Sequence, residues 1–203
     1  MELQPLVTKG AIITDVKQLE FVKHPPKHLV FVIHKHDATS LHYDFRLQIG
    51  SGMPSWAVPK GPTLDNTLKR LAMETTVHSM EYREFEGVLP EGSYGAGPVM
   101  IWDKGYYIPE IEISKGVRED VEDLDAGQKV MKEGYKKGEL KFKLFGKKLQ
   151  GSFALVKTKG FAGPKAWLLI KHDDEFVKKD YNANDYDSSA KSGKSINEIR
   201  EGK

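Results

Sequence analysis

Residues 29–49 read LVFVIHKHDATSLHYDFRLQI. The run LVFVI (29–33) is short, apolar and rich in β-branched residues, as a buried strand is. DATS (37–40) carries the Asx and Ser/Thr signals of a turn, and LHYDFRLQI (41–49) is the returning strand. In that second strand Leu41, Tyr43, Phe45, Leu47 and Ile49 alternate with His42, Asp44, Arg46 and Gln48. Because successive strand side chains point to opposite faces, the segment is expected to be a β-hairpin. One face is apolar and turned to a core, and the other carries a histidine, an aspartate and an arginine side by side.

The rest of the chain extends this β pattern. PSWAVPKGP (54–62) has three prolines and is expected to be an edge strand or a fixed loop. LDNTLKRLAMET (64–75) reads as a short amphipathic stretch or strand, and VMIW (99–102) as a strand after turn glycines. VEDLDAGQKVMKEGYKKG (121–138) has early acids, late lysines and a closing glycine, the marks of a helix. ELKFKLF, LQGSFALVK and AWLLIK, separated by a GKK turn and a glycine-containing loop, return to β. Many short strands with one or two flanking helices predict a mainly β fold, a small closed or nearly closed β-barrel. The barrel is expected over residues 29–179. Residues 1–28, with their HPPKH turn, are expected to be an N-terminal arm, and 180–203, poor in apolar residues, a flexible tail.

Composition narrows the function classes. A chain of 203 residues, 39% hydrophobic, can bury one sizeable core. It has no cysteine, so any metal must be held by His, Asp or Glu, and the chain suits a reducing compartment. No stretch approaches the roughly 18 apolar residues of a membrane-spanning helix, and the start MELQPLVTKG lacks a signal-peptide core. A cytoplasmic protein with no membrane partner is therefore expected. Lys+Arg 31 against Asp+Glu 29 gives +2, too little to announce a nucleic-acid binder by itself. The distribution is less even: after the acidic REDVEDLD (118–125) come Lys129, Lys132, Lys136, Lys137, Lys141, Lys143, Lys147 and Lys148, which form either a basic flank or an ordinary solvated face.

On the hairpin, period two places His42, Asp44 and Arg46 on one face, and the tight turn brings His36 back beside them. Two imidazoles and a carboxylate suit a first-row divalent ion with positions left for water and substrate. Arg46 could then hold a phosphate bidentately. From spacing alone, exposed polar residues that happen to alternate fit equally well. His34, in HKH, lacks the carboxylate a cupin-type site needs a few residues later, because Ser40 and Leu41 stand there, and it is read as lying behind the site or on the surface. Lys60, Arg70, His78 and Tyr82 lie downstream; taken singly Lys60 is a surface lysine and His78 a structural histidine, whereas with Arg46 they could ring a phosphate. GSYGAG (92–97) lacks a Gly-Lys-Ser/Thr ending and is read as a turn.

KHDATSLHYDFRL, SWAVPKGP, KRLAMETTVHSMEYREFEG, PEGSYGAGPVMIWDKG, GKKLQGSFALVK and WLLIK occur in order between about residues 29 and 172. Together they resemble the 3′-phosphoesterase family, a module of the bacterial end-joining enzyme ligase D that is also found as stand-alone archaeal and bacterial proteins. The resemblance implies a small β-barrel and a manganese-dependent site; from the donor set of two imidazoles and one carboxylate, Co2+ is a candidate substitute. The resemblance also implies processing of the 3′ ends of DNA or RNA-tipped DNA in repair. A phosphodiesterase cut would remove a 3′-terminal nucleoside, and phosphomonoesterase action would then remove the 3′-phosphate. By the same resemblance His36, His42 and Asp44 match the metal ligands. Arg46, Lys60, Arg70 and His78 match the phosphate-contacting residues, and Tyr82 matches a tyrosine of the active-site surround. His78 as general acid toward the leaving oxygen is an open alternative. His34 departs from the pattern, since glutamine stands there in bacterial members. With no ligase or polymerase signature, the stand-alone form is expected, and a separate DNA ligase or end-joining factor is the implied partner beside nucleic acid 3′ ends. The rival readings are a non-catalytic nucleic-acid-binding barrel and a small-molecule phosphatase with the same site.

Overall fold

The computed structural model describes residues 27–203, together with the backbone of two two-residue strands, β1 (Val7–Thr8) and β2 (Ala11–Ile12), which pair with each other. The arm expected over residues 1–28 otherwise lies outside the described residues, Lys27 and His28 excepted.

The hairpin forms as its alternation predicts. β3 (Leu29–Asp37) and β4 (Leu41–Leu47) pair antiparallel, with Phe31 opposite Leu47, Ile33 opposite Phe45, His34 opposite Asp44 and His36 opposite His42. Residues directly opposite share a face. Phe31, Ile33, Tyr43, Phe45 and Leu47 therefore enter the core together, while His34, His36, His42, Asp44 and Arg46 lie on the outer wall.

From this hairpin the sheet continues through β6 (Ser55–Val58), β7 (Lys69–Glu74), β14 (Ala166–Lys171), β13 (Gln150–Lys157), β12 (Glu139–Gly146) and β10 (Gly97–Ser114), and β10 returns to pair with β3. Eight antiparallel strands thus close a barrel, as the short-strand pattern predicts. β10 makes the closure because it is long enough to serve two partners, β3 along Val99–Tyr107 and β12 along Gly105–Pro109. Gly105 permits the handover: a Cβ there would lie 2.1 Å from the Phe145 carbonyl. The lumen is filled, with Trp56, Trp102, Trp167, Phe31, Phe45, Phe142 and Phe153 fully or almost fully buried. Burial of each such side chain contributes roughly 1.5–3 kcal/mol.

Three sequence expectations need correction or completion. β6 is neither an edge nor a loop: it pairs with β4 on one side and β7 on the other, because its prolines, Pro54 and Pro59, stand just outside its four residues and remove no ladder donor. The segment 180–203 is not a free tail. Tyr181, Ala183, Ile196 and Ile199 join the main core, and a capping box from Ser195 and Glu198 starts the short helix Ile196–Arg200. Its polar residues are committed as well: Trp102 Nε1 donates to the Tyr186 carbonyl at 2.8 Å, Tyr43 Oη donates to Asn184 Oδ1 at 2.9 Å, and Lys35 pairs with Asp187 at 2.8 Å. The expected basic flank is divided. Lys141 and Lys143 pair with Glu112 and Asp120 at 2.8 Å, and Lys147 and Lys148 donate to backbone carbonyls, which leaves the helical lysines to solvent.

The expected helix is α1 (Leu124–Lys137). Asp123 caps it by accepting from Ala126 N at 2.8 Å, and Gly138 ends it at φ 83°. No described helix is long and apolar enough to cross a membrane.

Candidate active site

The outer face of the β3–β4 hairpin is walled by β8 (His78–Ser79), the 3-10 turn Met80–Glu84, β9 (Gly87–Leu89) and the turn that follows it. In this cleft one ligand atom from each of His36, His42 and Asp44 lies within 4.8 Å of the others; among the described residues this is the one group of three such side chains. His36 Nδ1 and His42 Nε2 each stand 3.7 Å from an Asp44 carboxylate oxygen.

The far side of each ring fixes which nitrogen faces the carboxylate. His36 Nε2–H donates to the Gly95 carbonyl at 2.7 Å, and His42 Nδ1–H donates to the Ser40 carbonyl at 2.8 Å. A neutral imidazole carries one proton, so both inward nitrogens present lone pairs. Two lone pairs and a carboxylate converging with no donor between them form an acceptor cluster that a cation completes. Two metal–ligand bonds of about 2.1 Å span at most ~4.2 Å, so separations of 3.7 Å need little adjustment. The donor set, two nitrogens and one carboxylate from three residues, fits a divalent transition ion with open positions. Gly95 lies at φ 77° and an added Cβ would meet His36 Cε1 at 3.2 Å, so glycine lets the carbonyl approach the ring.

Arg46 is 2% exposed and linked on every side. Nη2 donates to Asp44 Oδ2 at 2.9 Å, Nε to His34 Nδ1 at 3.1 Å and Nη1 to His78 Nδ1 at 2.8 Å, while the guanidinium lies 5.1 Å from the Tyr82 ring centre. Three of its five N–H groups are used, and one remains on each terminal nitrogen, the pair that bidentate phosphate binding needs. His34 is fully buried rather than on the surface; its Nε2–H donates to the Phe85 carbonyl at 3.1 Å, so the ring props Arg46 from behind.

These contacts set the charges. Burial pushes the Asp44 carboxyl up, but its cationic surroundings, with the Arg46 guanidinium donating to it, outweigh this and hold the group below the usual carboxylate range. Burial, with Arg46 adding to it, lowers His34 to about 3, so it is neutral. Burial and then Arg46 also lower His78, and burial raises the Tyr82 hydroxyl. His78 Nδ1 faces both Arg46 and the Thr76 carbonyl at 2.9 Å, a donor and an acceptor that demand opposite tautomers, so only one of these bonds holds at a time. Ser55 Oγ, 3.2 Å from the same nitrogen, is held by its own bond to the Met53 carbonyl.

His36, His42, Asp44, Arg46, His78 and Tyr82 are thus brought together. Lys60 and Arg70 are not joined to them by any hydrogen bond or ion pair among the described residues. Lys60 is exposed on the turn after β6. Arg70 shares its face of β7 with Ala72, which lies in the core, and its Nε is buried without a partner. Sequence reasoning missed the carbonyls of Ser40, Phe85 and Gly95, since backbone acceptors leave no residue-type signature.

A family model described as the DNA Ligase D 3′-phosphoesterase domain matches residues 34–157. The chain is 42% identical over 146 residues to the multifunctional non-homologous end joining protein LigD of Pseudomonas aeruginosa, an alignment covering 72% of this chain and 15% of that protein. It is 38% identical over 145 residues to the protein of the same description from Mycolicibacterium smegmatis, covering 71% and 17%. It is 34% identical over 160 residues to the multifunctional non-homologous end joining DNA repair protein LigD of Mycobacterium tuberculosis, covering 79% and 18%. The matched region therefore spans less than a fifth of each of these relatives.

Proposed function

We propose that this chain, which belongs to the DNA ligase D 3′-phosphoesterase domain family, is a metal-dependent phosphoesterase acting on nucleic acid 3′ ends in end joining. It removes a 3′-terminal nucleoside as a phosphodiesterase and then the 3′-phosphate as a phosphomonoesterase. The observation that carries this reading is the convergence of the three acceptors of His36, His42 and Asp44 beside a guanidinium with an unused N–H on each terminal nitrogen.

His36, His42 and Asp44 would hold such an ion, and the chemistry it would supply is Lewis-acid polarisation of a phosphoryl oxygen and activation of water. Manganese suits the mixed donor set better than magnesium, which prefers oxygen, and cobalt is a candidate substitute. Arg46 binds two non-bridging oxygens and compensates the charge that grows on them in the transition state. Its bonds to His34 and Asp44 hold the guanidinium in place before substrate arrives. His78, neutral at neutral pH, carries its proton on Nε2 while Arg46 donates to Nδ1. It then serves as a hydrogen-bond donor to a phosphoryl or leaving-group oxygen rather than as a strong acid. Tyr82 closes the wall behind both. Lys60 and Arg70, outside the bonded cluster, are left to longer-range attraction of the substrate. A separate ligase or other end-joining factor would use the 3′-hydroxyl end produced.

The test is incubation of chelator-stripped protein with a 3′-phosphate-ended, a 3′-ribonucleoside-ended and a 5′-phosphate-ended oligonucleotide, with each of manganese, cobalt, magnesium and no metal. The first two should be shortened or dephosphorylated with manganese and the third left intact. Retention without turnover would favour a binding barrel, and equal attack on both kinds of phosphate a non-selective phosphatase; either result overturns the proposal.

A further inference from the structure

Among the described aromatic side chains Tyr94 is the most exposed, being fully open to solvent. It is not on a loose loop. Ser93 N and Oγ both donate to the Pro90 carbonyl, at 3.2 and 2.6 Å, and Ala96 N donates to the Ser93 carbonyl at 3.1 Å. The next residue, Gly95, presents the carbonyl that takes the His36 Nε2 proton at 2.7 Å. Consecutive Cα atoms are about 3.8 Å apart, so the backbone that carries the ring is anchored beside the metal-ligand cluster.

A single exposed apolar residue on a surface needs no explanation, but this one is carried by a hydrogen-bonded turn whose next residue touches a ligand of the candidate metal site. Behind the turn are groups suited to a phosphate, and on it is a flat aromatic face. Nucleobases joined to a phosphate match that division, because every base offers a π-face to stack.

We infer that Tyr94 stacks on an unpaired base that precedes the 3′-terminal phosphate, and that this contact makes the site favour single-stranded or frayed 3′ ends. The inference rests on the phosphoesterase reading above and adds the substrate class. A base locked in a duplex has its faces covered by its neighbours, so the ring engages it only after fraying. The hydroxyl of Tyr94 has no assigned role; the ring supplies the contact.

The test compares the wild type with Tyr94→Ala and Tyr94→Phe. Binding of a fluorescent, 3′-phosphorylated single strand is followed by anisotropy in chelator, and KM and kcat are measured with manganese. Tyr94→Ala should raise Kd and KM about tenfold or more with kcat little altered. Tyr94→Phe should restore both, and replacing the two terminal nucleotides with abasic ones should erase the difference between wild type and Tyr94→Ala. The melting temperature should stay constant, since nothing packs on the ring. Equal binding by Tyr94→Ala and wild type, failure of Tyr94→Phe to rescue, or a difference that persists on abasic ends overturns the stacking role while leaving the phosphoesterase reading intact. A wild type that neither binds nor processes the strand overturns both.

Discussion

Ile199→Ala tests whether the carboxy-terminal segment is part of the fold. Ile199 is 7% exposed and belongs to the main core, although it sits in a stretch whose composition is that of a tail. Truncating a buried isoleucine to alanine costs roughly 2–5 kcal/mol. The site lies on a five-residue helix at the rim of the barrel, which can relax into part of the space, so the low end, about 2 kcal/mol, applies. For a domain of this size that is a fall in Tm of roughly 4–8 °C. The control is Ile113→Ala, the same chemical change at an isoleucine that is 54% exposed on β10, with an expected effect within about 0.5 kcal/mol. Thermal unfolding by circular dichroism and urea titration at an unchanged m-value read both. If the two variants melt together, the segment is only loosely laid on the barrel and the packing argument fails.

His42→Ala and Asp44→Asn should each abolish calorimetric manganese binding and reduce turnover by at least about 100-fold, the upper end of the loss expected for a mere supporting partner, with the melting curve preserved in His42→Ala and lowered in Asp44→Asn, which takes the counter-charge from the buried Arg46; detectable binding in either removes it from the ligand set. Arg46→Lys should reduce kcat/KM by about 100- to 1,000-fold, since one ammonium cannot replace the forked contacts, and Lys60→Ala or Arg70→Ala should cost less; the reverse order would mean that the bonded cluster is not where phosphate charge is met. His34→Gln should fold and flatten the acid dependence of stability. His34 titrates at about 3 when folded and near 6.5 when unfolded, so the unfolded chain takes up a proton that the folded one refuses. The stability it contributes is complete above pH 6.5 and falls on acidification, by about 2 kcal/mol between pH 7.5 and 5. Glutamine keeps an acceptor for Arg46 and a donor for Phe85 without titrating, so urea titrations in chelator that gave parallel pH profiles for the two proteins would refute the argument.

Where sequence reasoning succeeded, one physical signal dominated. Alternation along β4 gave the hairpin, its register and the shared face of His42, Asp44 and Arg46, and cap residues gave α1 nearly to its ends. The barrel followed from the succession of short strands, and its membership from ordered blocks of motif. The failures also have causes. Proline content argued against a central strand, yet Pro54 and Pro59 fall outside the four paired residues. The segment after Lys179 has few apolar residues, and composition cannot reveal that Tyr181, Ala183, Ile196 and Ile199 all reach the core. Arg70 and Lys60 came from resemblance, and among the described residues no hydrogen bond or ion pair joins them to the bonded cluster. His34 shares its face with the ligands, but only the fold of residues 80–86 over that face makes it a buried prop.

The register of the β3–β4 hairpin has an evolutionary consequence. Because lumen and cleft are supplied by alternate residues of the same two strands, inserting or deleting a single residue between His34 and Leu47 would rotate every following side chain to the opposite wall. Phenylalanines would be turned to solvent, and a histidine, an aspartate and an arginine driven into an aromatic lumen. Packing and chemistry would be lost in one event, so substitutions at the outward positions leave lineages room to vary where changes of length do not. Related chains should therefore tolerate indels freely at the tips of β10 and β11 (Val117–Asp120), and within this hairpin only where the loop at residues 38–40 absorbs them without shifting the phase of either strand.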